Sequence, residues 1–493
     1  MSDNKNTLIA IALSAIILVG WQYFFGPKDQ PIVPQITSSV TATTTEATSA
    51  PAQPVLAANT ASAAIVSSIT NLDIKSFTAE SEKVKFIFDN DLSFKDALNT
   101  NASYPFRSIV ESDIPLKIFV FINDKPVSVP MAIVYDEQKK EFTGKNEALQ
   151  LNFLARVDES GRFKFSLTSI NPYRYQIVFN STPKTFDGGH IRQFLLYGND
   201  VERHTVGDEK TADGTYKWFG VDFRYHLFTL VLNEKAAVRY GLNKDGKMNV
   251  DIVNPANSFS GYVYFSRKNY DDLKAVGDNL HLAVDFGFFA IVAVPILRGL
   301  QFFYKLVPNY GIAIILLTLF IRTLMFPLQY KSFKSMKKMQ ILTPEINKLK
   351  EKFKDDPARL QKETMDLFKR GGANPLSGCL PLVAQLPIFF AFYQVLNSSV
   401  ELVNAPFFGW LQDLSLKDPY YVLPVLMTIS MFFQQKMTPN TSMDKMQQRI
   451  MLFMPLIFGF IMKDLSSGLV LYIFVSTMYG IAQQLFVYKV QKD

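Results

Sequence analysis

The sequence predicts a polytopic α-helical membrane core of five spans plus an N-terminal anchor, a large extracytoplasmic all-β sandwich domain and a cytoplasmic helical hairpin. Three observations lead to this fold class. Uncharged apolar runs dominate the chain from about residue 286 onward, alternating apolar and polar residues fill 63–275, and one strongly basic stretch interrupts the apolar runs. Charged residues make up only 19% of the chain, against roughly 25% in soluble proteins, and hydrophobic residues make up 48%. This composition excludes a disordered chain and a nucleic-acid binder driven by bulk charge.

The N-terminal segment 1–26 is predicted to be an uncleaved transmembrane anchor. Its 19-residue run 7–25 carries no charge and is long enough to cross a bilayer. A cleaved signal peptide is the alternative, but the run is long for a signal peptide, and Gly-Pro-Lys-Asp at 26–29 is not a small-residue cleavage site. The stretch 27–62 is rich in Pro, Thr, Ser and Ala, and we expect a flexible linker because it cannot bury a core.

The region 63–275 has the pattern of an antiparallel β-sandwich or barrel. Clusters of Asn, Asp, Gly and Pro separate short segments in which apolar and polar residues alternate, as in half-buried strands. These segments are 83–91, 115–124, 148–157, 163–170, 173–180, 224–232 and 261–268. No long stretch of this region has helical periodicity.

The sequence predicts neither a metal site, nor a cofactor, nor catalytic residues. Of the four histidines (His190, His204, His226 and His281), none has zinc-ligand spacing with another histidine or with a cysteine. The single cysteine, Cys379, excludes a disulfide or a cysteine-based metal cluster within one chain. We therefore expect the β domain to be a binding or scaffolding module and the protein not to be an enzyme.

Five further segments are candidates to span the membrane. They are 310–328, 378–400, 419–435, 450–462 and 465–488, and together they contain one charge, Arg322. The segment 450–462 is short for a span, which a thinner bilayer or neighbouring helices can accommodate. The run 286–307, within the predicted connector 276–308, is interrupted by Arg298 and Lys305. An amphipathic helix lying in the membrane interface accounts for these charges better than a span does.

The distribution of basic residues predicts the orientation. The loop 331–370 holds twelve Lys and Arg against six Asp and Glu, whereas 401–418 has only Lys417 against three acids. The positive-inside rule places the basic loop, 436–449 and the C-terminal tail in the cytoplasm. Six spans then follow, with both termini cytoplasmic and 26–308 outside.

The basic loop is predicted to form a cytoplasmic helical hairpin, 331–372. Thr343 and Asp356 each precede a proline, which is the pattern of a helix N-cap followed by proline at the first helical position. Gly371 and Gly372 then provide a stop. A solvated connection and a docking surface for a ribosome, a nascent chain or anionic lipid are both compatible with this pattern.

Arg322 is the most informative residue of the membrane core. An arginine inside a span costs at least ~2.5 kcal/mol, and the predicted spans contain no acidic residue to neutralise it. Snorkelling toward the cytoplasm is one explanation, and a water-filled cavity inside the bundle is the other. Neutral polar residues that could line such a cavity, or simply join helices, are Thr318, Gln385, Gln394, Thr428, Ser430, Gln434, Gln435, Ser476, Thr477, Gln483 and Gln484.

Four segments resemble one known family. NYGIAIILLTLFIRTLMFPL (309–328), NPLSGCLPLVAQLPIFFAFYQVL (374–396), DPYYVLPVLMTISMFFQQKM (418–437) and SGLVLYIFVSTMYGIAQQ (467–484) closely resemble the membrane core of bacterial YidC-type membrane protein insertases. The resemblance covers about 280–493, and the anchor plus a large β domain is similar to the Gram-negative form, in which that domain is periplasmic.

The resemblance implies a five-helix insertase core at 309–493 with a hydrophilic groove open to the cytoplasm and to lipid. The groove arginine corresponds to Arg322, and Thr318, Gln435 and Tyr472 carry over as groove positions. Gln385, Gln434, Ser476 and Gln483 are possible groove-lining residues. Where the family often has a second tyrosine, this sequence has Ile473.

The expected activity is insertion and chaperoning of membrane proteins, alone or beside the Sec translocon. The expected partners are nascent membrane proteins, the ribosome, the Sec translocon and membrane lipids, without direct nucleic-acid readout. The expected location is the bacterial inner membrane. A small-solute transporter or channel is the alternative, although spans without Asp, Glu or His argue against proton or sodium coupling. A pure assembly factor that folds proteins inserted by others is a further alternative.

Overall fold

The computed structural model describes residues 73–100, 115–181, 192–223, 225–354, 356–372, 380–438 and 445–490. The predicted anchor (1–26) and linker (27–62), together with His190 and Cys379, lie outside the described residues.

The region before residue 268 is all-β in its described part, as predicted. Each of the seven alternating segments overlaps a strand, because side chains that alternate between core and solvent fit the two faces of a sheet. The strands are β1 Ser76–Glu80, β2 Val84–Asp89, β3 Ser93–Asn99, β4 Leu116–Ile122, β5 Lys125–Val127, β6 Ala132–Asp136, β7 Glu141–Asn146, β8 Leu151–Val157, β9 Arg162–Tyr173, β10 Tyr175–Asn180, β11 Gln193–Tyr197, β12 Val201–Thr205, β13 Lys210–Asp222, β14 His226–Leu242, β15 Lys247–Ile252 and β16 Ala256–Arg267.

The strands form one continuous sheet, where the sequence predicts an antiparallel sandwich or barrel. Its main order is β1-β2-β3-β4-β10-β15-β14-β16-β9-β8-β7-β6, with β11–β13 and β5 as branches. The 17-residue strand β14 joins the two halves of this order, the half that ends at β15 and the half that begins at β16. Its first part pairs with β16 and its last part with β15. The sheet nevertheless folds over a shared core, since Phe88 on β2 packs against Phe163 on β9 with ring centroids 5.0 Å apart.

Ten α-helices occur in the described part of the chain. They are α1 Tyr270–Val276, α2 Ala290–Leu306, α3 Tyr310–Leu324, α4 Phe326–Ile341, α5 Thr343–Lys352, α6 Pro357–Arg370, α7 Leu380–Ser398, α8 Val422–Met437, α9 Lys445–Met462 and α10 Ser467–Val490. Short 3₁₀ turns cover Leu280–Ala283, Gly287–Phe289 and Val400–Leu402.

Two described helical stretches, Gly287–Leu306 and Ser467–Val490, are long and apolar enough to cross a membrane alone. The helices α3 and α4 are long and apolar enough to cross a membrane only as a pair, and the pair is bent by 63°. The helix predicted to run to residue 328 therefore already ends at Leu324. The count of six spans and the interfacial position of 286–307 therefore remain predictions.

The end of α4, from Lys337 onward, belongs with α5 and α6 to a compact unit distinct from the one that contains the sheet. Met339, Ile346 and Phe368 form its small core. Asp356 caps α6 as predicted, since its carboxylate accepts a hydrogen bond from the Arg359 amide at 3.0 Å. The predicted cap at Thr343 is wrong: Leu342 before it has helical backbone angles, so the Thr343 hydroxyl donates to the Met339 carbonyl instead.

A second hydrophobic core runs from the sheet into the helices. It contains Trp218 and Tyr262 from the sheet, Leu280 from the connector, Leu297 from α2 and Leu317 from α3. The connector is also hydrogen-bonded to the sheet: the Tyr262 hydroxyl donates to the Asp278 carboxylate at 2.6 Å. The sheet and these helices are therefore packed together rather than linked by a free tether.

Candidate functional site

Arg322 lies in the last turn of α3, beside α7 and α10. Asn309 begins α3, because its side-chain oxygen accepts a hydrogen bond from the Ile312 amide at 3.1 Å. The bend after Leu324 ends the helix two residues beyond Arg322. The positive charge is therefore held close to one end of an otherwise apolar helix.

The Arg322 guanidinium is held by a neutral partner. Its Nε and one Nη donate to the Ser476 hydroxyl at 2.7 and 2.5 Å. Gln483, two turns further along α10, donates to the Arg322 backbone carbonyl at 3.2 Å. Among the residues that the structure describes, Arg322 forms no ion pair, so its charge is uncompensated and can attract an anion.

Tyr472 closes the pocket on the side away from the bend. Its ring stacks on Phe392 of α7 with centroids 4.1 Å apart, and its hydroxyl accepts a hydrogen bond from Gln385 at 3.2 Å. Thr318 is buried one turn before Arg322, and its hydroxyl donates to the Ile314 carbonyl of its own helix at 2.6 Å. The pocket thus presents the arginine and amide groups rather than the threonine hydroxyl.

These side chains line a small cavity beside the Arg322 guanidinium. Its free volume is about 10 Å³, close to the minimum for a single water molecule. The stacked rings of Phe392 and Tyr472 and the Arg322–Ser476 contact fill the rest of the space. The lining residues are Thr318, Ile321, Arg322, Met325, Gln385, Ile388, Phe392, Tyr472 and Ser476.

The structure brings together most of the residues singled out in the sequence. Thr318, Arg322, Tyr472, Gln385 and Ser476 line the cavity, and Gln483 contacts the Arg322 backbone.

Gln434 and Gln435 differ in their relation to the pocket. Gln434 and Arg322 both lie beside Gly480 of α10. A methyl group on that glycine would be 3.0 Å from the Gln434 amide nitrogen and 3.9 Å from the Arg322 guanidinium, so Gln434 is near the cavity rim. Gln435 is half-buried on α8 and is not among the described residues that line the cavity. Ile473 is buried next to Tyr472 and does not line it either.

The sequence did not single out the apolar part of the wall: Ile321, Met325, Ile388 and Phe392. A recognisable pattern was present on α7, because Gln385, Ile388 and Phe392 are spaced three and four residues apart and therefore share one helix face.

A second polar cluster joins the β domain to the helices outside the predicted spans. The Asn269 side chain caps α1 and also donates to the Glu401 carboxylate at 3.0 Å. Asp271 pairs with Arg298 of α2 at 2.5 Å. Burial raises the pKa of Glu401 above its ordinary value, and the neighbouring charge of Asp271 raises it further.

Together these features define an α-helical membrane protein with a cationic pocket in its bundle and a large all-β domain packed against it. A family model described as "60Kd inner membrane protein" matches residues 302–493. A membrane protein insertase YidC from Campylobacter jejuni is 31% identical over 99% of this chain and 96% of its own length. One from Geotalea uraniireducens is 36% identical over 77% of this chain and 79% of its own. The chain therefore belongs to the YidC family of membrane protein insertases.

Other relatives match a smaller part. The chain spans 58% of the length of the insertase YidC from Geotalea daltonii, at 41% identity over 60% of this chain. A solved structure described as an active YidC insertase with its first transmembrane domain resolved has a TM-score of 0.40 and 19% identity, over 86% of this chain and 97% of its own. That likeness is distant.

Proposed function

We propose that this protein is an insertase and chaperone that moves hydrophobic segments of nascent membrane proteins from the cytoplasm into the lipid bilayer. The observation that carries the proposal is the uncompensated charge of Arg322, which the structure pairs only with a neutral hydroxyl among its described side-chain contacts. Membership of the YidC family supports the same activity. The protein acts on its substrate by binding and release, without a covalent step.

In the proposed mechanism, Arg322 transiently holds an acidic or polar tail of the substrate. A fixed cation in a low-dielectric bundle attracts such a tail more strongly than a cation in water does. The apolar part of the substrate meanwhile moves along α7 and α9 into lipid. The exposed side chains Phe453, Ile457 and Phe460 on α9 support this route, because they form one apolar face at helical spacing. Partition into the bilayer and the membrane potential supply the driving force.

The pocket has to widen for this mechanism to operate. A cavity of about 10 Å³ cannot admit a peptide. The contacts that would part are the Phe392–Tyr472 stack and the Gln385–Tyr472 hydrogen bond, and both of them join α7 to α10. We therefore assign to α7 the movement that admits a substrate.

We also propose the orientation and the partners that the charge distribution favours. The protein lies in the inner membrane with both termini cytoplasmic and 26–308 periplasmic, and its basic hairpin 331–372 faces the ribosome. The same core works alone or beside the Sec translocon. The positive-inside rule supports this orientation.

Site-specific photo-crosslinking tests the proposal. A crosslinking residue replaces Thr318 or Tyr472 at the pocket, or the exposed Phe320 or Met478 on the same helices as a control. A stalled ribosome presents a short single-span membrane protein with an acidic tail. We expect crosslinks at the pocket positions that Arg322→Ala weakens and Arg322→Lys largely retains. Crosslinks only at the controls, or pocket crosslinks indifferent to Arg322→Ala, would contradict the proposed role of the charge.

A further inference from the structure

A second, apolar groove lies beside the Arg322 pocket, on the flank formed by α2 and α3. It has a volume of about 530 Å³ and is lined almost entirely by apolar atoms. From α2 it receives Val292, Arg298 and Phe302, from α3 Phe320 and Ile321, and from α7 Ile388. Phe302 and Phe320, each 58% exposed, flank its open side.

The groove and the pocket share a wall. Ile321 and Ile388 line both spaces, so one layer of side chains separates the groove from Arg322. Whatever fills the groove therefore supports the two isoleucines from behind. An empty groove would leave them without packing partners on that side, which favours its occupation.

We propose that this groove binds one acyl chain of a bilayer phospholipid. An apolar lining makes water an unfavourable occupant, because water there would lack hydrogen-bond partners. A transmembrane helix is 10–12 Å wide with its side chains, so the groove would hold only about one helical turn. A single flexible hydrocarbon chain matches both the size and the polarity of the space.

Charge at the edge of the groove specifies a phospholipid rather than another hydrocarbon. Arg298 lines the groove, and Lys305 is exposed seven residues later, so both cations lie on the same face of α2 with Phe302 between them. Arg298 is also paired with Asp271, which fixes its position at the edge and offsets its charge. Lys305 is therefore the cation that meets a phosphate group above the buried chain, and the chain itself lies between α2 and α3.

Lipid exchange on the purified full-length protein tests the proposal. The protein is reconstituted into vesicles of phosphatidylethanolamine and phosphatidylglycerol that carry a photoactivatable group on one acyl chain, and these vesicles are then fused with an excess of unlabelled vesicles. Crosslinks are mapped over time by mass spectrometry. We expect labelled lipid to persist at Phe302 and Phe320 and to exchange rapidly at Phe433 and Phe460, which are comparably exposed on α8 and α9.

Two variants check that the groove itself retains the lipid. Val292→Phe fills it and should reduce retention by about tenfold, the equivalent of losing the burial of about two methylenes. Phe302→Ala opens it without crowding the core, and it should also shorten retention. Equal exchange at groove and control positions, or retention unchanged in both variants, would mean ordinary bilayer contact only and would overturn the proposal. The readout needs no substrate, so its outcome is independent of the insertase assay.

Discussion

Ser476 fixes the direction in which Arg322 presents its charge, because one hydroxyl accepts from two guanidinium nitrogens. Ser476→Ala removes this acceptor while leaving the cation in place. We expect the crosslink yield from an acidic-tailed substrate to fall by roughly three- to tenfold, in line with the net value of one hydrogen bond. The measurement is the pocket crosslinking assay, and the loss should be smaller than that caused by Arg322→Ala.

The adjacent residue supplies the control for Ser476. The Thr477 hydroxyl donates to the Ile473 carbonyl of its own helix at 2.8 Å and does not contact Arg322. Thr477→Ala should leave the crosslink yield unchanged. If the two variants lose the same yield, a general effect on α10 explains the loss, and the positioning role of Ser476 is wrong.

His226 makes the β domain sensitive to acid. Burial against the sheet, with a smaller contribution from Arg267, lowers its pKa from 6.5 to about 4. The unfolded chain therefore binds a proton between these values and the folded protein does not, so stability is lost as pH falls from about 6.5 toward 4. His226→Gln should remove up to ~3 kcal/mol of that loss.

Thermal unfolding monitored by tryptophan fluorescence measures this effect, because Trp218 is fully buried in the same domain. The thermal unfolding midpoint should fall more steeply for the wild type than for His226→Gln as pH falls from 7 toward 4, so the two midpoints should converge or cross. Parallel midpoint curves over that range would show that His226 does not cause the acid sensitivity.

At the scale of single residues, the important charged residue was easier to predict than the side chains that contact it. A lone charge among uncharged runs identifies Arg322 without a structure, because the cost of burying it is large. Which neutral side chain meets it depends on how the helices are rotated about their axes. That rotation explains why Ser476 contacts the guanidinium whereas Gln435 does not line the cavity.

At the scale of elements, strands were more predictable than helix ends. Alternation of apolar and polar residues favours a strand over a helix, so the seven predicted segments lie on strands. The end of α3 has no such pattern, because the residues after Leu324 remain apolar while the chain bends by 63°. That all the strands join in a single sheet could not be predicted from the sequence either. It depends on the pairing of β14 with both β15 and β16, which involves residues far apart in sequence.

The junction between α1 and the turn after α7 carries a prediction of its own. The pKa of Glu401 is raised by burial, so the folded protein binds a proton more readily than the unfolded chain. Stability at this site is therefore lost as pH rises from the ordinary carboxyl value through the raised one. Glu401→Gln keeps an acceptor for Asn269 and should raise the unfolding temperature at pH 8 by a few degrees, with a smaller gain near pH 5.

Glu159→Gln is the matched control, because Glu159 is exposed on the turn between β8 and β9. It should leave the unfolding temperature unchanged at both pH values. A Glu401→Gln variant that is less stable than wild type at pH 8 would show that the charged carboxylate is itself stabilising, contrary to this prediction.

At the scale of the whole molecule, the sheet and the helices around the pocket share one core. Leu280 lies in the connector, is fully buried, and belongs to the same cluster as Trp218 on β13 and Leu297 on α2. The Trp218 indole also donates to the Asp278 carbonyl at 3.1 Å. A substitution in the connector should therefore destabilise both the sheet and α2, because packed interiors transmit the loss of contacts.

Leu280→Ala tests this coupling. The cavity it leaves should cost about 2–5 kcal/mol, and amide hydrogen exchange should accelerate in both β13 and α2. Leu282→Ala, two residues away and 38% exposed, should change stability by less than about 0.5 kcal/mol and accelerate exchange in neither element. Acceleration confined to the connector would mean that the sheet and the helices are stable independently. Acceleration in both would mean that the β domain holds α2 in place, and with it one wall of the apolar groove beside Arg322.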